Sequence, residues 1–448
     1  MQSEALIEST LGAICDQQGG LIQTGPFGSQ LHASDYSEAG IPVVMPADIQ
    51  GGRVSTESVA RVGVEHVERL AQHQLQVNDI VFSRRGDVTR FARVTEREAG
   101  WLCGTGCLKV RVGNGKVALP EWIALALAAP DAKEWLVRHA IGATMPNLNT
   151  SILGALPLLV PPLSHQREAV ETCFALDDRI YLLRQTNATL EAIAQALFKS
   201  WFVDFDPVHA KAEGREPEGM DAATAALFPN EFEESALGAI PKGWRVGEIG
   251  KVADCVGGGT PSTKETTYWE PPVYHWATPK DLSGLGSPVL LNTDRRLSND
   301  GLAKVSSGLL PAGTLLMSSR APIGYLAIAQ VPLAINQGFI AMLPGGVLPP
   351  EFLYFWCQTN MDCIKQKANG STFMEISKTA FRPIPLVVPS QAVIARFAAL
   401  ARPFFERISA NEQHRRNLSD LRDTLLPRLI SGQLRMPEYR EILEDALT

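Results

Sequence analysis

From Ala169 to Trp201 apolar residues recur alternately four and three positions apart. Ala169, Cys173, Leu176, Ile180, Leu183, Leu190, Ala194, Leu197 and Trp201 fall in this phase, with the polar Asn187 among them. This is the a/d repeat of a helix packed along a partner helix, and neither Pro nor Gly interrupts Ser164 to Phe205. About 36 residues at 1.5 Å each predict a rod of roughly 54 Å. Ser164, after Pro161 and Pro162, is the expected N-cap, and Asp204, Asp206 and Pro207 mark the exit. Asn187 at a core position is expected to fix register at some cost in stability.

The pattern occurs twice. Pro157, Leu158, Val160 and Pro161 recur at a constant offset as Pro385, Leu386, Val388 and Pro389, each followed by a long apolar stripe. At that offset Leu176 falls on Phe404, Ile180 on Ile408, Leu190 on Leu418, Leu197 on Leu425 and Trp201 on Leu429. So large a period means duplication rather than a solenoid. Two such units related by a pseudo-twofold axis predict antiparallel helices. Their seam comprises Leu176, Ile180, Leu183, Leu190, Leu197 and Trp201 facing Phe404, Ile408, Leu418, Leu425 and Leu429, with Leu183 opposite Glu412. Helix length is expected to set the separation of whatever the two halves bind.

Between these stripes the pattern changes to short apolar runs, such as IPVVMP and DIVFS, divided by Gly, Asp and Asn turns. The expected fold class is α+β: two similar α/β domains separated by two long antiparallel helices. The expected boundaries are 1–160 for the first domain, 161–206 for the central helix and 207–240 for an exposed linker rich in Pro, Gly, Ala and charge. The second domain is expected at 241–389, the C-terminal helix at 390–434 and a tail at 435–448. The run from Glu121 to Ile141 is expected to be a core helix.

Composition narrows the function classes. With 45% hydrophobic and 20% charged residues over 448 positions, the chain can fill two or three ordinary cores. No apolar run approaches the roughly 20 residues that span a bilayer, and the N-terminus lacks a basic flank before an apolar run, so a cytoplasmic location with no membrane partner is expected. Seven scattered cysteines suggest neither a disulfide framework nor a zinc site. A net charge of −7 argues against a protein that coats nucleic acid indiscriminately, while leaving room for local basic clusters. No G-x-G-x-x-G, Walker loop, H-E-x-x-H or G-x-S-x-G occurs, and the eight histidines are dispersed. No catalytic residue, no metal ligand and no cofactor is expected on this chain.

Candidate chemistry lies in polar loops at corresponding places of the two halves. TGPFGSQL, with Ser29 and Gln30, can bring backbone N–H groups to a phosphate or base edge, or serve as a simple surface loop. SRRGDVTRFAR carries Arg84 and Arg85 directly after a strand-like run, suited either to phosphate and guanine or to a solvated turn. The loop after the Glu121 to Ile141 run contributes Asn147 and Asn149. In the second half GGGTPSTK carries Ser262 and Lys264, TLLMSSRAPI aligns Arg320 with Arg85, and NQG carries Asn336 and Gln337. Lys109 completes the candidate set.

GPFGSQL followed by GIPVV, then KSWFVDFDPVHAK, LGAIPKGW and GGGTPSTK, in this order and at this spacing, resemble the specificity subunit of type I restriction-modification systems over nearly the whole chain. The resemblance implies two target recognition domains that each read half of a split double-stranded DNA site. It also implies long helices that dock two methyltransferase subunits and, where the system restricts, restriction and translocase subunits. S-adenosylmethionine would then belong to the methyltransferase, and ATP and Mg to the restriction subunit. A duplicated adaptor binding only protein partners is the competing expectation.

Overall fold

The computed structural model describes residues 6–432 apart from 57–58, 143 and 371–373, so the tail expected at 435–448 lies outside the described residues. The chain divides into two compact units. One is formed by the N-terminal part to Ile180 together with the chain from Asn417 onward, the other by Tyr181–Arg416.

The first unit opens with Ile7–Thr10, which pairs antiparallel with Pro157–Val160. A four-stranded sheet follows, in the order Leu21–Thr24, Cys107–Arg111, Ile80–Ser83, Phe91–Arg93. A second sheet has Leu102–Cys103 parallel to Ile41–Val44, which pairs antiparallel with Ala60–Val62. Ile80–Ser83 is buried at every position and Cys107–Arg111 at all but its last, and continuous apolar runs suit strands covered on both faces. The expected core helix is broken by Pro130 into Pro120–Ala128 and Pro130–His139, because proline cannot donate the ladder hydrogen bond. The first of these is core; the second buries only Ala132 and Leu136.

The second unit repeats the plan. Arg245–Glu248 pairs with Pro385–Val388, as Ile7–Thr10 does with Pro157–Val160. Phe339–Met342 lies between Cys255–Val256 and Leu315–Ser319, and the latter pairs onward with Ile323–Ala329. Tyr274–Ala277 runs parallel to Leu333–Ile335 and antiparallel to Arg295–Leu297. An added strand, Val289–Leu290, extends the larger sheet.

The long helices are Leu163–Phe202 and Gln391–Ile430, so Ser164 lies inside the first turn rather than capping it. In the first unit the Arg422 guanidinium reaches Asp177 Oδ1 at 2.6 Å, and His165 Nε2 meets the Leu429 carbonyl at 2.6 Å. In the second, Asn411 Nδ2 donates to Asn187 Oδ1 at 2.8 Å, and the rings of Phe198 and Phe397 lie 6.0 Å apart. The helices are therefore antiparallel in each unit. Leu176, Ile180, Leu183, Trp201, Ile408, Leu418, Leu425 and Leu429 are buried, whereas Leu190, Leu197 and Phe404 are half-buried. Asn187 facing Asn411 corrects the register, because one turn earlier Leu183 then comes level with Arg415 rather than Glu412. Phe198 and Phe405 are more deeply buried than their seam neighbours Leu197 and Phe404, as expected where a 3.6-residue helix drifts from a 3.5-residue stripe.

The stretch 207–240, expected as an exposed linker, is folded. Asp206–Ala212 is helical with Val208 and Ala210 buried, Phe228 is buried against Trp201, and Phe232–Ser235 forms a hairpin with Gly238–Pro241.

Candidate nucleic-acid interface

In each unit the strand carrying the loop arginine ends beside two other loops. In the first, the Arg84 N–H donates to the Gly106 carbonyl at 2.9 Å, and Leu148 N–H donates to the Arg84 carbonyl at 2.9 Å. In the second, Ser319 N–H donates to Gly338 at 2.8 Å and Ile376 N–H to Ser319 at 3.0 Å. The flanking hairpins match as well: Ile141 and Asn147 exchange both backbone hydrogen bonds, and so do Asn369 and Glu375. An isolated bridge then sets Arg85 against Asn147 and Arg320 against Glu375. The scaffold is common and the polar side chains differ.

Arg85 is exposed, with no acidic partner at hydrogen-bonding distance among the described residues. Arg90 is paired with Asp87, and Arg93 donates to Asn78 Oδ1 at 2.7 Å over the Phe174 ring. Arg84 Nε and Asn147 Oδ1 are buried without hydrogen-bond partners. Ser29 is exposed in the turn, where Gln30 Oε1 accepts from the Phe27 N–H at 2.9 Å. Asn149 caps the helix Thr150–Gly154 through its Oδ1, and Ser377 caps the equivalent helix Lys378–Phe381. Its side-chain oxygen is thus occupied by the fold.

Lys109 is not a surface contact. It is 1% exposed, and its ammonium donates to the carbonyls of Gln72 at 2.8 Å and Gln74 at 3.1 Å. Burial, and then the charge of Arg111, hold its pKa below the usual lysine value. Its place on a strand buried along most of its length leaves no open face.

In the second unit Gln337 Oε1 accepts from the Thr260 hydroxyl, and Asn336 Oδ1 accepts from the Gly338 N–H at 2.8 Å. Ser262 and Lys264 are exposed, and the Ser262 carbonyl accepts from the Trp269 indole at 3.1 Å. Arg320 approaches Glu375 at 3.7 Å.

Several groups at these loops are not marked by any sequence pattern. Thr105 occupies the place of Gln337, in the loop beside Arg84. The Arg295 guanidinium stacks 3.5 Å from the Trp269 ring centre and 5.4 Å from that of Trp276, which orients an exposed charge. Phe27 is 58% exposed, and Ile141, Met145 and Met374 are exposed at the hairpins; apolar side chains so placed can wedge against bases.

The close approaches behind the loops require glycine. A Cβ on Gly25 would lie 1.9 Å from the Gly104 carbonyl oxygen, and one on Gly258 would lie 1.8 Å from that of Ile335. Among the described residues no group of three or more His, Cys, Asp or Glu side chains is disposed to hold a metal ion. Burial pushes the thiols of Cys15, Cys103 and Cys173 up to about 12, which keeps them protonated. No described helix is long and apolar enough to cross a membrane.

The family model of the type I restriction modification DNA specificity domain matches residues 29–192 and 241–399. The chain belongs to this family. The HindI specificity subunit of Haemophilus influenzae is 29% identical over 364 residues, 72% of this chain and 79% of that protein. The MjaIX specificity subunit of Methanocaldococcus jannaschii is 34% identical over 188 residues, 42% of this chain and 43% of that protein. The fold is similar to the crystal structure of the type I restriction-modification S subunit from M. genitalium, with a TM-score of 0.55 at 15% identity over 96% of this chain and 97% of that one. Each matched specificity segment contains one arginine loop: Arg85 with Asn147 in the first, Arg320 with Glu375 in the second.

Proposed function

We propose that this chain is the DNA-reading, non-catalytic subunit of a type I restriction-modification complex, with each unit reading one half of a bipartite site. The observation that carries this reading is the repeated loop scaffold, whose backbone hydrogen bonds agree while Asn147 in one unit is replaced by Glu375 in the other. Two similar frames with different polar tips suit two different sequences, whereas an enzyme has no need of the duplication. Arg85, Arg320, Ser29, Lys264 and Arg295 are exposed or half-exposed donors for phosphates and base edges. The outer faces of the long helices would dock two methyltransferase subunits, which bring S-adenosylmethionine, and a restriction subunit would bring ATP and Mg. The net charge of −7 fits a reader that shares its grip on DNA with partners.

The test is to incubate the purified chain with and without methyltransferase partners, following DNA shift and S-adenosylmethionine turnover. Sequence-dependent binding and methylation only in the assembled complex are expected. Turnover by the chain alone, or an assembled complex indifferent to sequence, would contradict the assignment.

A further inference from the structure

The bridge between the arginine loop and its hairpin offers one position at which the two units differ in kind. Backbone hydrogen bonds set Arg85 against Asn147 and Arg320 against Glu375, and among the described residues the one side-chain contact across either bridge is the long, exposed Arg320–Glu375 ion pair, so the side chains there can vary without moving the frame. We propose that Glu375 acts with Arg320 to read one G·C pair of the second half-site, and that Asn147 makes the first unit choose a different base pair at the equivalent place. This rests on the DNA-reading assignment above.

The chemistry follows from the major groove. A G·C pair presents the two guanine acceptors N7 and O6 beside the cytosine N4 amino donor. A guanidinium donates two parallel hydrogen bonds and a carboxylate only accepts, so Arg320 and Glu375, 3.7 Å apart, complement that row of acceptor, acceptor and donor. An A·T pair places the thymine O4 acceptor where the cytosine amino group would be, and a carboxylate facing it has no donor to accept from. Asparagine has both a donor and an acceptor, the set that adenine N7 and N6 require. Asn147 Oδ1 is buried and has no hydrogen-bond partner in the fold, so the amide must turn outward to offer its oxygen to a base, and it gives up no hydrogen bond at that oxygen in doing so.

The second-unit pair is accessible, with 37% of the Arg320 and 49% of the Glu375 side chain exposed. An ion pair this long and this exposed contributes little to folding, so its loss should register in base choice rather than in stability. Glu375 is thus a specificity residue in its own right on cytosine, and it also orients Arg320 toward guanine.

The experiment selects bound duplexes from a randomised library with the full chain assembled with its methyltransferase partners. Wild type is compared with Glu375→Asn, the near-isosteric Glu375→Gln and Asn147→Glu, each checked for an unchanged melting temperature. Both Glu375 variants should lose roughly tenfold or more of the preference for G·C at one position of one half-site, leaving the other half-site intact. Asn147→Glu should alter only that other half-site. Unchanged preferences in folded Glu375→Gln, or a change at a position where wild type does not select G·C, would overturn the inference while leaving the DNA-reading assignment standing. A wild-type complex that selects no sequence would overturn both.

Discussion

Asn411 donates its side-chain amide to the Asn187 oxygen at 2.8 Å, with both residues less than a tenth exposed, at 8% and 6%. This pair sets the register of the two long helices within the second unit. Replacing either asparagine alone by Leu strands the other amide, at a cost of about 1–3 kcal/mol. Replacing both should recover much of that loss while weakening the preference for one register. Chemical denaturation of the two single variants and the double variant forms the cycle that checks this; additive losses would contradict it.

Arg85→Ala and Arg320→Ala should each relax one position in a different half-site, costing about 1–3 kcal/mol where the contact is bidentate to a base. Arg295→Ala, which removes a stacked exposed charge, should instead weaken all sequences alike and reduce the salt slope by about 1. Affinity for cognate and randomised duplexes across a salt series separates the two behaviours.

Lys109→Met should lower stability without changing the site that is read. The Gln72 and Gln74 carbonyls lose their ammonium donor, worth about 1–3 kcal/mol, although the Arg111 guanidinium still reaches Gln74 at 3.4 Å. A lowered denaturant midpoint with an unaltered methylation pattern is the expected result.

His73 is buried, and burial followed by the charge of Lys109 lowers its pKa from the ordinary 6.5. The unfolded chain therefore binds more protons just below pH 6.5 than the folded one does. The stability contributed by neutral His73 is present in full above that pH and is lost as pH falls through the folded value. Melting temperatures between pH 7 and pH 5 should fall for wild type and fall less for His73→Phe.

The long helices and the duplication are legible in the sequence because a 3.5-residue stripe and a constant offset are both one-dimensional signals. The alignment of Arg85 with Arg320 also survives, since both follow the same buried strand. Lys109 misleads because a strand buried on both faces has no alternation to reveal which way a charged residue points. The polar stretch NGSTFMEIS at 369–377 is legible as a loop, but Glu375 is not singled out within it, because the backbone bridge that makes it a neighbour of Arg320 joins segments far apart in the chain. The 207–240 stretch looks like a linker by composition, yet Val208 and Phe228 anchor it. Propensity counts residues, whereas packing depends on which few of them find a partner.

The first unit takes its last helical stretch from the far end of the polypeptide, where Arg422 and Leu429 meet Asp177 and His165. During synthesis the N-terminal sheets can therefore form early, but the unit to which they belong must wait for the entire intervening unit to be translated before its final helix arrives. A premature stop just before Asn417 would accordingly leave every strand of the second unit encoded, yet deprive the first, more distant from the lesion along the chain, of its closing segment.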